Sequence, residues 1–89
     1  MPSDNFSAYA DSPTAPAGNC FTIVPADGAE VAVVTKAVYV GSAGDIVLRA
    51  INGSSDVTFK NVPAGSILDV RVRFLRATGT TAADLVGLA

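Results

Sequence analysis

The sequence predicts a small all-β domain, either an antiparallel β-sandwich or a barrel of jelly-roll-like form, and three observations carry this prediction. From Cys20 onward, short segments rich in Val, Ile, Phe and Thr alternate with clusters of Gly, Pro, Asn and Asp. Residues 67–75 alternate apolar and charged side chains with a period of two, as a strand with one buried face does. No segment of ordinary helix length shows the helical period. Sandwich and barrel both remain open at this point.

Length and composition indicate one domain that gains stability from association. A chain of 89 residues has room for a single hydrophobic core. One Cys and no His exclude an internal disulfide and a histidine metal site, two common supports of small domains. Hydrophobic residues make up 49% of the chain and charged residues 16%, so we expect some apolar surface to face a neighbour.

Turn signals divide the domain into strands. The Asn-Gly pair at 52–53 predicts a β-hairpin, because both residue types accept positive φ. Residues 41–44 are predicted as a second hairpin connection and residues 61–66 as a further turn. Residues 82–88 are compatible with a strand or a short helical turn, and we predict a strand. Strands are expected over residues 20–24, 37–40, 45–51, 56–60, 67–75 and 82–88, with 31–34 as a candidate edge strand.

Two side-chain placements follow from these patterns. Cys20 begins an apolar strand and is expected to be a small buried hydrophobe rather than a nucleophile. The strand over residues 67–75 is expected to have one core face and one wet or interfacial face. The core face comprises Leu68, Val70, Val72 and Phe74, and the other face comprises Asp69, Arg71 and Arg73.

Residues 1–19 are predicted to form an extended N-terminal arm, and residues 20–89 the single β domain. Three prolines interrupt regular structure in the arm. Phe6 and Tyr9 are the candidate arm anchors, able to dock on the domain or on a neighbour. A disordered arm without function is the alternative.

The residue types exclude most enzyme mechanisms. Without His, a Ser-His-Asp triad, a Cys-His pair and His-ligated metal chemistry cannot be built. The acids are scattered among turns and strand ends, which favours turn capping over a paired catalytic site. We therefore expect no catalytic residue, no cofactor site and no metal site.

The charges are divided unevenly along the chain. The net charge of −2 argues against nucleic acid as the main partner, and no apolar run is long enough for membrane insertion. Residues 1–35 carry a net charge of −4, and residues 36–89 carry +2. This division suggests that acidic N-terminal surface of one copy pairs with arginines of the next copy.

Six residues are candidates for a subunit interface: Val47, Arg49, Ile51, Arg71, Arg73 and Arg76. Arg71 and Arg73 alternate on one strand face, where their guanidinium groups could pair with carboxylates of a partner. A merely solvated face is the alternative. Val47 and Ile51 share a face with Arg49, and that face is either a subunit contact or part of the sandwich core.

An ordered series of short motifs is similar to a known family. The motifs are Ala37-Val38-Tyr39-Val40-Gly41 with Gly44-Asp45, Val57-Thr58-Phe59 with Val62-Pro63-Ala64-Gly65, Val70-Arg71-Val72-Arg73, and Ala77-Thr78-Gly79-Thr80-Thr81. In this order they resemble the spike base proteins of tailed-phage-like particles and of gene transfer agents (GTAs) from alphaproteobacteria.

The resemblance implies a structural virion or GTA protein without an active site. It implies a ring at the five-fold vertices of the capsid, a pentamer that serves as the base of a head spike or fibre used in cell attachment. The implied partners are copies of the chain, the major capsid protein and the spike or fibre protein. The implied location is the particle surface, after synthesis in the bacterial cytoplasm.

A small carbohydrate-binding module acting directly in attachment is the alternative function. Such a module needs exposed aromatic side chains in a groove. Aromatic residues make up 7% of the chain and Trp is absent, so the usual stacking residues are scarce.

Overall fold

Seven β-strands account for the regular structure of the domain. A computed structural model describes residues 3–5, 11–12 and 14–89. The strands are β1 (Cys20–Ile23), β2 (Ala37–Ser42), β3 (Gly44–Ala50), β4 (Val57–Val62), β5 (Ile67–Leu68), β6 (Val72–Leu75) and β7 (Ala83–Leu88). All strand pairs are antiparallel, and the described ranges contain no helix. The predicted all-β class is confirmed.

The strands form two sheets that face each other across one core. The four-stranded sheet has the order β1-β7-β2-β5, and the three-stranded sheet has the order β4-β3-β6. Apolar side chains from both sheets meet between them, which makes the fold a β-sandwich rather than a barrel. The buried core cluster comprises Ile23, Val38, Val40, Ile46, Leu48, Val62, Val72, Leu75, Ala82 and Leu85.

The connections define two flanks of the sandwich. After β1 the chain crosses to the edge of β6, where Ala26 N–H donates to Leu75 O and Val31 N–H donates to Arg73 O, both at 2.9 Å. We call this side the β1–β6 flank. Residues 63–66 alone join β4 to β5, so these two edge strands lie together on the opposite side. We call that side the β4–β5 flank.

The single strand predicted over residues 67–75 is wrong, because the segment is divided between the two sheets. Its first part, β5, pairs with β2, and its second part, β6, pairs with β3. The hydroxyl of Thr35, which is 1% exposed, donates to Val70 O and accepts from Val72 N–H, both at 3.0 Å. These two bonds satisfy backbone groups where the chain passes from one sheet to the other.

A β-bulge in β6 overturns the predicted core position of Phe74. The β3–β6 register shifts by one residue after the Ala50–Val72 pair, so Arg73 is an extra residue on β6. Phe74 is thereby turned to the outer face of the three-stranded sheet. Leu75, which is 1% exposed, takes the next core position instead.

The turn predictions have mixed outcomes. The hairpin predicted at 52–53 is confirmed, since β3 and β4 pair on either side of it, and residues 82–88 contain the predicted strand as β7. The hairpin predicted over 41–44 is wrong, because β2 and β3 belong to different sheets. Gly44 lies directly after this crossing, at a position that has no room for a side chain. A Cβ there would lie 2.5 Å from the backbone nitrogen of Ala82.

Two further expectations fail at the β1–β6 flank. Residues 31–34 form no strand and instead continue the connection along the edge of β6. Cys20 is exposed rather than buried. The residue of β1 that enters the core cluster is Ile23, three positions later, where the pairing with Leu85 lies over the core.

Candidate interaction surfaces

Three arginines surround one aromatic ring on the outer face of the three-stranded sheet. Arg49 lies directly opposite Phe74 in the β3–β6 pair, and Arg73 and Arg76 flank Phe74 in sequence. Their guanidinium carbons lie 5.4, 5.3 and 4.2 Å from the Phe74 ring centroid, respectively. These distances are those of cation–π contacts. We call these four residues the arginine cluster.

Two acids of the same chain compensate much of the positive charge of the arginine cluster. Arg76 Nε donates to Asp56 Oδ2 at 3.1 Å, and Arg49 Nε lies 3.2 Å from Asp56 Oδ1 in an ion-pair contact without hydrogen-bond geometry. Arg73 donates through Nε and Nη2 to Glu30 Oε1, at 3.0 and 2.8 Å. The acids expected to reach a neighbour thus include Glu30, which is already paired within the chain.

Asp27 joins the connection after β1 to the loop after β6. Its carboxylate accepts hydrogen bonds from the Thr78 hydroxyl at 2.6 Å and from the N–H groups of Thr78 and Ala77, both at 2.9 Å. These bonds, with that of the Thr78 hydroxyl the strongest influence, hold the pKa of the Asp27 carboxyl below its ordinary value of 3.8. Arg76 Nη1 donates to the carbonyl oxygen of Asp27 at 2.5 Å, so this loop also positions the arginine cluster.

The structure places the other candidate interface residues apart from the arginine cluster or under their own chain. Val47 is half-buried, its N–H donates to the Thr80 hydroxyl at 3.0 Å, and its side chain lies beneath Gly79. Ile51 is also half-buried, and its N–H donates to Arg71 O at 2.9 Å. Arg71 itself is exposed at the crossing between β5 and β6. A role of these residues in a subunit contact stays a prediction.

Lys36 holds the segment that precedes the domain. Its ammonium group binds the Asp11 carboxylate and donates to the carbonyl oxygens of Ala15 at 3.4 Å and Pro16 at 3.2 Å. The hydrogen bond and charge of Lys36 lower the pKa of the Asp11 carboxyl. A lone lysine before a strand carries no sequence signal for this role. The two predicted arm anchors, Phe6 and Tyr9, lie outside the described residues.

Exposed apolar side chains concentrate on the two flanks, which the sequence analysis missed. Val57 begins β4 and is 53% exposed, and Ile67 begins β5 and is 60% exposed. On the other side, Val24 is 79% exposed and Val33 is 47% exposed in the connection after β1. Edge strands are open on one side whatever their alternation, so a period of two does not reveal them.

A groove lies along the free edge of β1. It has a volume of about 240 Å³ and is lined by residues 21–24 and 30–32. Phe21 forms its base by packing over Gly87, where a Cβ would lie 2.5 Å from the ring. We call it the edge groove. Among the described residues, β1 pairs only with β7, so the backbone groups on the groove side have no sheet partner.

The described residues do not assemble a recognisable chemical centre. No group of three or more His, Cys, Asp or Glu within residues 3–5, 11–12 and 14–89 could hold a metal ion. Within the same ranges, no helix has the length and hydropathy needed to cross a membrane.

Comparison with solved structures finds a similarity over nearly the whole chain. The matching structure is described as the capsid of a native GTA particle computed with C5 symmetry. The match has 39% sequence identity and a TM-score of 0.88, and it covers 98% of this chain and 100% of the other. No family model and no curated protein match the chain.

Proposed function

Because this chain belongs to the same family as the protein it matches in the capsid of a native GTA particle, we propose that it is the base of a head spike on such a particle. The family membership makes it a structural protein of a GTA or virion particle. The proposal adds that it forms a ring at a capsid vertex and anchors a spike or fibre used in cell attachment.

The observation that carries the proposal is a full-length similarity to a protein in a particle reconstruction computed with C5 symmetry. Five-fold symmetry describes a vertex of an icosahedral shell, and five copies around such an axis form a closed ring. The exposed apolar residues on both flanks support association side by side. The implied partners are copies of the chain, the major capsid protein and the spike or fibre protein.

No specific observation favours the carbohydrate-binding alternative. Tyr39 is the only aromatic side chain that is exposed in the described part of the chain. It lies between Val86 and Ile67 on the outer face of the four-stranded sheet, in an apolar row rather than in a polar groove. A sugar site needs aromatic platforms beside polar groups that bind hydroxyls.

The proposal is tested first by the mass of the purified chain and then on particles. Light scattering should give five times the mass of the 9.0-kDa chain. Particles from a strain that lacks the gene should lose density at the vertices and bind cells less well, and added purified chain should restore both. A chain that is monomeric at all concentrations contradicts the ring. Unchanged vertices in the deletion strain contradict the vertex location, and unchanged cell binding contradicts the attachment role.

A further inference from the structure

We propose that copies of this chain associate head to tail through their flanks, with the β4–β5 flank of one copy packed into the edge groove of the next. The inference rests on the proposed function and names the surfaces that build the ring. A closed ring of identical copies requires two different surfaces that complement each other. The two flanks lie on opposite sides of the sandwich, so each copy can contact one neighbour through each flank.

Both flanks end in strand edges that are open for pairing. β4 pairs only with β3 among the described residues, as β1 pairs only with β7. An open edge presents unpaired N–H and C=O groups, which a strand of another chain can satisfy. The other edge of the three-stranded sheet, β6, is covered by the chain's own residues 26–31. One open edge is therefore left on each flank for a neighbour, besides the two-residue strand β5.

The β4–β5 flank has a projecting apolar side chain, and the edge groove on the other flank has an apolar wall against which it can pack. Val57 pairs with Leu48, so its side chain lies on the inner face of the three-stranded sheet. It is nevertheless 53% exposed, because β4 is the edge strand and no further strand lies beside it. Val57 is therefore an apolar projection on the β4–β5 flank. The edge groove on the other flank offers Phe21 and the 79%-exposed Val24 as an apolar wall. Burying these residues against each other removes apolar surface of both copies from water.

The charges beside these apolar groups have opposite signs. Lys60 on β4 is exposed and forms no ion pair with any residue that the structure describes. Glu30 lines the edge groove, its side chain is 53% exposed, and it uses only Oε1 to bind Arg73. Oε2 faces no donor in the described part of the chain. A cation on one flank and a carboxylate oxygen on the other favour the head-to-tail orientation over a like-to-like contact.

The test uses one charge substitution on each flank and one matched control. Val57→Asp and Val24→Asp each place a carboxylate in the proposed contact, and both positions are more than half exposed, so the fold should tolerate them. Tyr39→Asp, at a 39%-exposed position on the face of the four-stranded sheet, is the control. Circular dichroism verifies that each variant is folded, and light scattering gives the mass. We expect both flank variants to fall to single chains and the control to remain a ring.

A mixture of the two flank variants distinguishes a head-to-tail contact from a symmetric one. The Val57→Asp chain keeps an intact groove, and the Val24→Asp chain keeps an intact β4–β5 flank. Mixed in equal amounts, they should form a complex of two chains, because one good contact remains. Loss of the ring in only one of the two variants would overturn the head-to-tail arrangement.

A cysteine cross-link provides an independent measurement. Cys20 is exposed on β1, and a chain with this single thiol can be oxidised to no more than a dimer. Val57→Cys, Thr58→Cys and Lys60→Cys each add a thiol on β4. With diamide as oxidant, at least one of these variants should give a ladder that reaches the size of the ring, while Ser54→Cys in the β3–β4 turn should not.

The outcomes separate this inference from the proposed function. A wild-type ring that survives both flank substitutions and gives no ladder means that the ring exists but uses other surfaces, which overturns the inference alone. If the Tyr39→Asp substitution dissociates the ring while both flank variants still form it, the contact lies on the face of the four-stranded sheet. That result likewise overturns the inference. A wild-type chain that is monomeric overturns the ring and with it this interface.

Discussion

The Asp27 carboxylate connects two loops that lie about fifty positions apart in the chain. It accepts three hydrogen bonds from Ala77 and Thr78, and its backbone carbonyl binds Arg76. Ordinary turn capping satisfies donors a few residues away. Asp27 instead satisfies donors after β6 and so fixes the connection that covers the edge of that strand.

Asp27 should make stability depend on pH in the acid range. Its pKa is lowered in the folded chain, so the stabilisation is present above the ordinary value of 3.8 and is lost as the pH falls through the folded value. In thermal unfolding, the Tm of wild type should therefore exceed that of Asp27→Asn by a constant difference near neutral pH. This difference in Tm should shrink below a pH of about 4. Asp69→Asn, at an exposed position between β5 and β6, is the control. A difference that is the same at all pH values would show that the carboxylate charge is not involved.

The position of Phe74 shows how one extra residue in a strand moves the following side chains to the opposite face from the one that a period of two predicts. Alternation from Leu68 through Val72 predicts a core position for Phe74, and the structure places that ring outside among three arginines. The cause is the extra residue Arg73, which shifts the phase by one position. Three arginines can lie close together on this outer face because the ring attracts all three, Asp56 pairs with Arg49 and Arg76, and Glu30 pairs with Arg73.

At the scale of elements, the crossing between β5 and β6 depends on Thr35. The hydroxyl lies in the connection before β2 and binds backbone groups of Val70 and Val72, which are two positions apart. In a continuous strand these groups would belong to sheet ladders. Here a side chain replaces a strand as the partner, and the segment can change sheets without leaving buried polar groups unsatisfied.

Removing the Thr35 hydroxyl should destabilise the fold although the side-chain volume is unchanged. Thr35→Val leaves the Val72 N–H and the Val70 carbonyl without a partner in a site that is 1% exposed. We expect a loss of about 1–3 kcal/mol in the free energy of unfolding, measured with urea. Thr35→Ser keeps the hydroxyl and should lose less than half as much. Equal stability of the valine variant and wild type would mean that another group replaces the hydroxyl.

At the scale of the whole molecule, one lysine holds the segment that precedes the sandwich. The core cluster begins at Ile23, and Lys36 binds the preceding segment through Asp11, Ala15 and Pro16. Residues 1–10 precede all of these contacts in the chain. We propose that this part of the arm, with Phe6 and Tyr9 as its apolar anchors, binds a neighbouring protein of the particle.

Deletion of residues 1–10 should separate binding from stability. The truncated chain keeps the Lys36 contacts and the core cluster, so it should fold and form the same oligomer as wild type, whereas its binding to particles without the gene product should be about tenfold weaker. Lys36→Met is the matched control, because it keeps residues 1–10 and releases residues 11–16. A loss of roughly 1 kcal/mol in the free energy of unfolding of the Lys36→Met variant would lower the Tm of that variant by about 4–8 °C. Full binding by the truncated chain would remove the arm from the particle contact.

Local patterns in the sequence predict the all-β class and one hairpin, and an ordered series of motifs indicates the family. Alternating side chains and the Asn-Gly pair at 52–53 predict all-β structure and the β3–β4 hairpin correctly, because alternation and turn geometry depend on neighbouring residues. The resemblance to GTA particle proteins is confirmed at the level of a structural particle protein, and the spike base stays a proposal. Three of the predicted interface residues, Arg49, Arg73 and Arg76, do lie together.

Local patterns do not reveal which strands share a sheet, on which face of the sheet Phe74 lies or which carboxylates pair with the arginines. Each of these depends on contacts between residues far apart in the chain, such as Thr35 with Val72 or Glu30 with Arg73. Sheet membership also decided which strands have an open edge, and hence where apolar side chains remain exposed. A local pattern specifies that a strand has two faces, but the rest of the fold decides what covers each face and each edge.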